Sequence, residues 1–211
     1  MCAVILAAGS STRMGRDKAL LPWPPAAPHE LAPTQTFLSA AIRSLSPFSD
    51  MVIVVAGANE PNLLPVIYAN AAFVVRNAEP ERGQFSSLRV GLQSVLSRGR
   101  DAAFVTLVDR PPAQPATIGE LRETFVKSAR DVWAIVPEFN GKHGHPVIFS
   151  REMIHHFLHA PPDATARDIE HEQQAHVQYV SVSDPFVTAN IDTPQDYAEL
   201  QNRIGFPELH H

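Results

Sequence analysis

The chain has 211 residues, of which 45% are hydrophobic and 18% are charged, so it is a globular protein of one-domain size rather than a disordered or fibrous chain. Its formal net charge of -5 excludes a broad electrostatic grip on nucleic acid, and any phosphate binding must therefore be local. No apolar run approaches the roughly 18 residues of a membrane span, no signal-peptide pattern is present, and the single Cys2 cannot form an internal disulfide. We therefore expect a cytoplasmic protein without a membrane or nucleic-acid partner.

The first predicted strand leads into a loop with the composition of a phosphate-binding site. The apolar run 3–8 predicts a buried strand. The residues after it are small or cationic, and they include Gly9, Ser10, Ser11, Thr12, Arg13, Gly15 and Lys18. Backbone N–H groups of such a loop can approach an anion closely, and a nearby Arg and Lys can neutralise phosphate oxygens. The spacing is neither that of a P-loop, because five residues separate Gly9 and Gly15, nor that of the dinucleotide fingerprint.

A proline-rich segment follows at residues 22–33. Five of its twelve residues are proline, which excludes a helix or a central strand and predicts a loop. The loop is interpreted either as a lid over the substrate or as a solvated segment without function.

From residue 37 onward, strand and helix patterns alternate. Continuous apolar and β-branched runs predict strands at 51–56, 72–75, 102–108, 132–136, 146–149 and 177–182. Apolar residues at helical spacing predict helices at 37–45, 63–70, 86–98, 116–129, 153–158 and 164–173. A last helix is predicted after Asp192 or Thr193 as its cap, with Pro194 near its first position. This alternation favours a mainly parallel sheet with helical crossovers and without a domain linker.

Asp109 directly follows the strongly apolar strand 102–108. Ligands of open parallel sheets collect at the carboxyl ends of the strands, so we expect Asp109 and the 9–18 loop at one edge of the sheet. Mg²⁺ favours a carboxylate combined with phosphate oxygens, and Asp109 is interpreted as a metal ligand, with a helix cap as the alternative. Asp192 has the same two interpretations.

The opening motif, L-A-A-G-x-x-x-R-M-G-x-x-K over residues 6–18, resembles the signature of the nucleoside-triphosphate transferases, in particular the molybdenum cofactor cytidylyl- and guanylyltransferases. Segments 83–92, 141–147 and 190–197 resemble further elements of that family, and the resemblance spans residues 3–197 apart from 22–33. It implies a single nucleotidyltransferase domain over residues 1–211, with a Rossmann-like three-layer α/β fold, a mainly parallel central sheet and the proline-rich loop as an insertion.

The resemblance also implies a role for each site residue. The catalytic cations would be Arg13 and Lys18, and the Mg²⁺ ligands would be Asp109 and Asp192. The nucleotide would be bound by Leu6, Ala7, Ala8, Gly9, Ser10, Ser11, Ser86 and Ser87. The acceptor would be bound by Arg110, by Gly144, which allows close approach of a flat ligand, and by His145, which could donate a hydrogen bond to a phosphate or a pterin. The alternatives are that Ser86 or Ser87 caps helix 86–98, and that loop 140–145 is only a hairpin turn.

The reaction implied is transfer of a nucleoside monophosphate from a nucleoside triphosphate to a phosphorylated acceptor, with release of pyrophosphate. Two adjacent serines at 86 and 87 resemble the cytidylyl branch and favour CTP, and molybdopterin is the first expected acceptor. Two positions depart from the family pattern: Arg110 stands where cytidylyl members usually have Gln or Met, and Asn190 replaces an acid.

Three alternatives remain open at this point. The same chemistry could act on a sugar phosphate or on methylerythritol phosphate. A glycosyltransferase of similar topology would need a D-x-D after a strand, and Asp109-Arg110-Pro111 lacks the second acid. A non-catalytic nucleotide-binding module would fit the departures at Arg110 and Asn190.

Overall fold

The computed structural model describes residues 1–9, 11, 14–25, 35–161 and 163–205, with the backbone alone for 203–205. Ser10 and Arg13 lie outside the described residues, and so does the larger part of the proline-rich segment, residues 26–33. What was predicted for them stays a prediction.

A mixed sheet forms the centre of the protein. In chain order the strands are β1 (Cys2–Leu6), β2 (Pro22–Trp23), β3 (Gln35–Thr36), β4 (Met51–Ala56), β5 (Phe73–Arg76), β6 (Ala102–Leu107), β7 (Ala134–Phe139), β8 (Lys142–His143), β9 (Val147–Ser150) and β10 (Val177–Ser181). The central sheet has the order β10-β7-β9-β6-β1-β4-β5, with β8 paired to β7, while β2 and β3 form a separate two-stranded ribbon. The predicted mainly parallel sheet is confirmed, and β9 is the antiparallel strand between β6 and β7.

Helices cover both faces of this sheet. They are α1 (Phe37–Leu45), α2 (Glu60–Ala69), α3 (Gln84–Ser97), α4 (Pro115–Lys127), α5 (Arg151–His159), α6 (Ala166–Glu172) and α7 (Pro194–Gly205). Residues of α1, α2 and α4 share one hydrophobic cluster, and residues of α3, α5 and α6 share another. Successive residues of β1 alternate between these clusters, as the two-residue period of a strand requires. The three-layer α/β architecture is therefore confirmed.

Three local predictions need correction. The proline-rich segment is not a loop throughout, because Pro22 and Trp23 pair with β3 in a ribbon whose exposed edges tolerate a proline. The predicted serine cap of α3 is wrong: Gly83, with φ of 92°, is the N-cap residue, and Ser86 and Ser87 lie inside the first turn. Helix α2 begins at Glu60, three residues before the predicted start, because Pro61 fits the first turn of a helix.

Within the described ranges, no helix combines the length and the apolar character needed to cross a bilayer.

Candidate active site

A cleft of about 790 Å³ opens at the carboxyl ends of β1 and β6. Among the residues predicted to bind nucleotide, it is lined by Leu6, Ala8, Gly9, Ser11 and Ser87. The charged groups predicted for catalysis and metal binding, Lys18, Asp109 and Asp192, line it as well. The structure therefore brings the opening loop and Asp109 to one cleft, as the parallel topology predicts.

The start of the opening loop, residues 7–18, is tied by hydrogen bonds to the sheet and to the segment after β4. The Ala7 N–H donates to the Val55 carbonyl oxygen (2.8 Å), which extends the ladder beyond β1. The Asn59 side-chain amide donates to the Ala7 carbonyl (2.9 Å) and to the Asp17 carboxylate (2.7 Å), and its own oxygen accepts the Gly57 N–H (3.1 Å). Asn59 thus joins both ends of the loop to the β4 side of the cleft.

Lys18 carries its charge into the cleft from a buried position, because its side chain is only 10% exposed. The Nζ atom donates to Asp192 Oδ1 at 2.7 Å and lies 3.4 Å from Asp109 Oδ2. Its backbone N–H donates to Ser11 Oγ at 3.1 Å, which connects it to the loop. One cation therefore marks the place where two carboxylates from distant parts of the chain converge.

Asp109 is not a helix cap, since Gln114 is the N-cap residue of α4. Its Oδ1 atom is buried and, among the described residues, has no hydrogen-bond partner. A buried acceptor without a partner costs free energy unless a ligand satisfies it, so this atom is suited to bind a cation or a hydrogen-bond donor of a ligand. The Asp109 carbonyl oxygen accepts the Ile191 N–H (2.9 Å), which fixes the segment that carries Asp192 beside it.

The cap of α7 is formed by Thr193 and Asp196. The Asp196 N–H donates to Thr193 Oγ1 (3.2 Å), and the Asp196 carboxylate accepts the N–H groups of Asp192 (2.9 Å) and Thr193 (2.7 Å). Hydrogen bonding by the backbone and side chain of Thr193 and by the backbone of Asp192 lowers the pKa of Asp196. The Asp192 carboxylate accepts from Lys18 (2.7 Å) and from the Asn190 side-chain amide (2.7 Å).

The donor set of this cleft fits a divalent cation bound together with phosphate. The described residues contain no cluster of three His, Cys, Asp or Glu side chains that would form a complete metal cage. Mg²⁺ typically takes one or two carboxylates and completes its shell with substrate phosphates and water. The buried Asp109 Oδ1, which has no partner in the described part of the chain, and the neighbouring Asp192 carboxylate provide that number of ligands.

The two predicted nucleotide-binding serines are held by a residue that the sequence analysis missed. Asn77 is buried, and its side-chain amide donates to Ser86 Oγ (2.8 Å) and to Ser87 Oγ (2.9 Å). Its side-chain oxygen accepts the Glu79 N–H (3.0 Å). Of the two serines, Ser87 lines the cleft and Ser86 does not, because the Ser86 hydroxyl turns back to the Gly83 carbonyl (2.7 Å).

Arg110 and Gly144 both contact the segment 187–189. Arg110 donates from Nη1 to the Ala189 carbonyl (3.2 Å); burial lowers its pKa, and the charges of Asp109 and Asp192 act in the opposite direction. A Cβ atom on Gly144 would lie 2.3 Å from the Val187 carbonyl oxygen, so glycine is required there by backbone packing. The predicted contacts of both residues with the acceptor stay predictions.

His145 lines a second cleft of about 520 Å³. Burial, together with the charge of Arg110, lowers its pKa to about 4, so the ring is neutral near pH 7. Its Nδ1 atom lies 3.3 Å from the Val105 carbonyl oxygen, which only accepts, so Nδ1 carries the proton. The Nε2 atom of the neutral ring is consequently an acceptor, and the predicted donation from His145 to a phosphate does not fit this tautomer.

The missed residues share a weak signal in the sequence. Asn77 comes directly after β5, and Asn59 follows β4 by three residues, so each lies near the carboxyl end of a parallel strand. Asp109 was identified because it directly follows a predicted strand. The same criterion applies to Asn59 and Asn77. Asn59 lines the first cleft, whereas Asn77 acts on it through the serines.

An open, mainly parallel sheet with a small-residue loop, a buried lysine and two acids at its carboxyl edge is the arrangement in which α/β proteins bind their ligands. Residues 3–194 match the family described as the MobA-like NTP transferase domain, and the chain belongs to that family. The resemblance inferred from the motifs is thereby confirmed.

Known proteins of two kinds are similar to this chain. A molybdenum cofactor cytidylyltransferase of Escherichia coli K12 is 27% identical over 206 residues, or 95% of either chain. A probable molybdenum cofactor guanylyltransferase of Mycobacterium avium is 32% identical over 121 residues, which cover 57% of this chain and 55% of that protein. Among solved structures, Rv0371c of Mycobacterium tuberculosis in complex with manganese has a TM-score of 0.74 at 25% identity, covering 95% of this chain and 97% of its own. A nucleotidyl transferase of Methanothermobacter has a TM-score of 0.77 at 22% identity, covering 96% of both chains, and shares the fold.

Proposed function

We propose that this protein transfers a nucleoside monophosphate, CMP in preference to others, from a nucleoside triphosphate to the phosphate of molybdopterin, with Mg²⁺ as the metal. The observation that carries the proposal is the convergence of Lys18, Asp109 and Asp192 in one cleft, with a buried Asp109 oxygen that has no partner among the described residues. Membership of the family and the manganese complex of the related Rv0371c support a divalent metal.

The residues of the cleft have separate tasks in this proposal. Asp109 and Asp192 would hold the Mg²⁺ ion, whose positive charge offsets the charge of the triphosphate. Lys18, with Arg13 from the loop, neutralises charge that gathers on the α-phosphate and on the leaving pyrophosphate. The acceptor phosphate attacks the α-phosphorus in line, the bond to the bridging oxygen breaks, and pyrophosphate leaves; no covalent enzyme intermediate is needed, because positioning supplies the rate enhancement.

The preference for CTP rests on two features. Ser87 lines the cleft at the start of α3, where a base edge or ribose would lie, and the adjacent Ser86 completes the pattern of the cytidylyl branch. The relative aligned over 95% of both chains is a cytidylyltransferase, whereas the guanylyltransferase from Mycobacterium avium aligns over 57% of this chain.

The test is a panel of CTP, GTP, ATP and UTP, each with Mg²⁺ and molybdopterin, followed by pyrophosphate release. We expect pyrophosphate with CTP, less with the other nucleotides and none when molybdopterin or the metal is left out. Absence of turnover with every nucleotide would overturn the proposal. Sugar phosphates and methylerythritol phosphate, offered with the same nucleotides, identify the acceptor if molybdopterin is not the one.

A further inference from the structure

The second cleft continues from the first. Leu6, Gly83, Gln84 and Leu107 line both, so a ligand that begins at the phosphate site of the first cleft can extend into the second. Apolar side chains of α3 and β9 form much of the second cleft's wall, and they are Phe85, Leu88, Val147 and Phe149. Such walls suit a flat heterocyclic ring rather than a chain of charged groups.

Glu170 of α6 brings a carboxyl group to this largely apolar cleft. No hydrogen bond or ion pair joins its side chain to any of the described residues. Its neighbour Ile169 anchors the helix in the core at 5% exposure, so the Glu170 backbone is held beside the cleft. Burial raises the pKa of Glu170 to about 7.

The other charged and titratable groups around the cleft do not satisfy Glu170. Arg82 donates to Glu79 (3.0 Å), and the His145 ring is neutral near pH 7. Asp163 and Arg167 line the same cleft from exposed positions, and Tyr179 is the further group that interacts with Glu170 electrostatically. An acid kept in an apolar cleft at a cost in folding free energy points to a ligand that donates hydrogen bonds.

We propose that the carboxylate of Glu170 binds the edge of a pterin ring in the acceptor, accepting two parallel hydrogen bonds from the 2-amino group and the adjacent ring N–H. The two carboxylate oxygens match this pair of donors, in the same way as they match a guanidinium. The inference rests on the proposed function, since it places the ring of the acceptor beside the cleft that would hold its phosphate. Glu170 is then a specificity residue, remote from the reacting phosphorus.

The test measures binding of free pterin and of lumazine, which has an oxo group in place of the 2-amino group, at pH 7.5 without nucleotide or metal. Ligand fluorescence reports the binding. We expect the wild-type protein to bind pterin at least about tenfold more tightly than lumazine, because lumazine sets a carbonyl oxygen against the carboxylate. Glu170→Gln, which offers one acceptor and one donor, should lose this preference. Glu172→Gln, the same change at an exposed position of α6, should keep it.

Equal affinities of the wild-type protein for the two rings, no saturable binding of pterin, or an unchanged preference in Glu170→Gln would each overturn the inference. In turnover, Glu170→Gln should raise the KM for molybdopterin at least about tenfold while leaving the KM for CTP unchanged, which a merely structural role would not separate. If no nucleotide is turned over with molybdopterin, the proposed function fails whatever the binding of pterin. If turnover occurs and the preference for pterin does not depend on Glu170, the assignment of Glu170 alone fails.

Discussion

Asp109 contributes a carboxylate whose oxygens have different surroundings. Oδ2 lies 3.4 Å from Lys18 Nζ, and Oδ1 is buried without a partner among the described residues. Asp109→Asn removes the charge at nearly constant shape and leaves Lys18 its contact with Asp192, so the fold should persist. We expect kcat for pyrophosphate release to fall about a hundredfold or more, because the site would lose a charge that stabilises the transition state. Lys18→Ala should have a loss of similar size.

Thermal unfolding of the Asp109→Asn variant checks that the fold is retained, and Asp131→Asn, at an exposed position far along the chain, controls for the substitution itself. A kcat within about threefold of wild type, well short of the losses measured for electrostatic groups, would remove Asp109 from the mechanism.

Glu170 makes stability depend on pH. Its pKa is about 7 in the folded protein against an ordinary 4.5, so the folded state binds the proton more tightly than the unfolded state does. The stability that comes from this tighter proton binding is fully present below pH 4.5 and is lost as the pH rises through about 7. Glu170→Gln does not titrate and should gain about 1–2 kcal/mol relative to wild type between pH 5 and pH 8, a value reduced for partial exposure.

Urea unfolding of both proteins at pH 5 and pH 8 measures this difference. Both proteins contain the same charged and titratable groups around position 170, so the contribution of these groups largely cancels from the difference in unfolding free energy. They are Arg82, His145, Asp163, Arg167 and Tyr179. A difference that does not change with pH would show that Glu170 is solvated in the folded protein.

At the scale of single residues, the sequence identifies groups whose spacing forms a pattern. Lys18, Asp109 and Asp192 belong to such patterns, and all three meet in one cleft. Asn59, Asn77 and Glu170 belong to none, because an isolated amide or acid has no period and its partners come from distant segments. His145 was identified, but its role as donor or acceptor depends on the Val105 carbonyl, a contact between distant parts of the chain.

Helix α3 approaches the sheet closely at Gly91. A Cβ atom there would lie 2.6 Å from Val4 Cγ1 and 2.9 Å from Val55 Cγ2, both on the central strands β1 and β4. Gly91→Ala should therefore destabilise the protein by about 1–3 kcal/mol and push α3 outward. Since α3 carries Ser87 into the cleft, the KM for CTP should rise as well.

Gly119→Ala in α4 is the matched control for this prediction. Its nearest neighbour would be Phe48 Cε1 at 3.5 Å, which is ordinary contact. Alanine also favours a helix interior, and the change should stabilise the protein by about 0.5–1 kcal/mol. Thermal unfolding should thus shift in opposite directions for the two variants, and a stabilising Gly91→Ala would contradict the close packing of α3.

At the scale of elements, the bounds of a strand are predicted best where both of its faces are buried, because its sequence then has only one interpretation. The strand 51–56 is found at its predicted bounds, because its continuous apolar run fits nothing but a covered strand. The direction of β9 could not be predicted from sequence. The side chains of its four residues alternate between the two faces of the sheet whether the strand runs parallel or antiparallel to its neighbours. The start of α3 was misplaced because its N-cap residue, Gly83, makes no side-chain hydrogen bond to the helix, so the capping residue types expected from sequence do not mark it.

The whole molecule is acidic, with a net charge of -5, and in the first cleft Lys18 is paired with two acids. A triphosphate alone meets these carboxylates as like charges, and a metal ion alone must compete with the ammonium group. When both bind, the metal ion pairs with the carboxylates and the triphosphate pairs with the metal ion and with Lys18. CTP and Mg²⁺ should therefore stabilise the fold cooperatively. At about 100 times the dissociation constant the gain is about 2.7 kcal/mol, or about 5–10 °C in Tm.

Thermal unfolding with CTP, with Mg²⁺ and with both measures this coupling. We expect small shifts with either alone and the full shift with the pair, which EDTA should reverse. Equal shifts with CTP in the presence and absence of Mg²⁺ would show that the metal does not bind between the acids and the triphosphate.

The antiparallel strand β9 has a consequence for how the substrate preferences of this protein can change. Because β9 runs against β6, the loop that enters it, rather than one that leaves it, brings His145 to the ligand edge of the sheet. Residues 140–146, β9 and the two helices after it thus build one side of the second cleft, and no described residue of this stretch, 140–172, lines the first cleft. Exchange of this stretch between relatives should transfer the choice of acceptor as a module while leaving the choice of nucleotide intact.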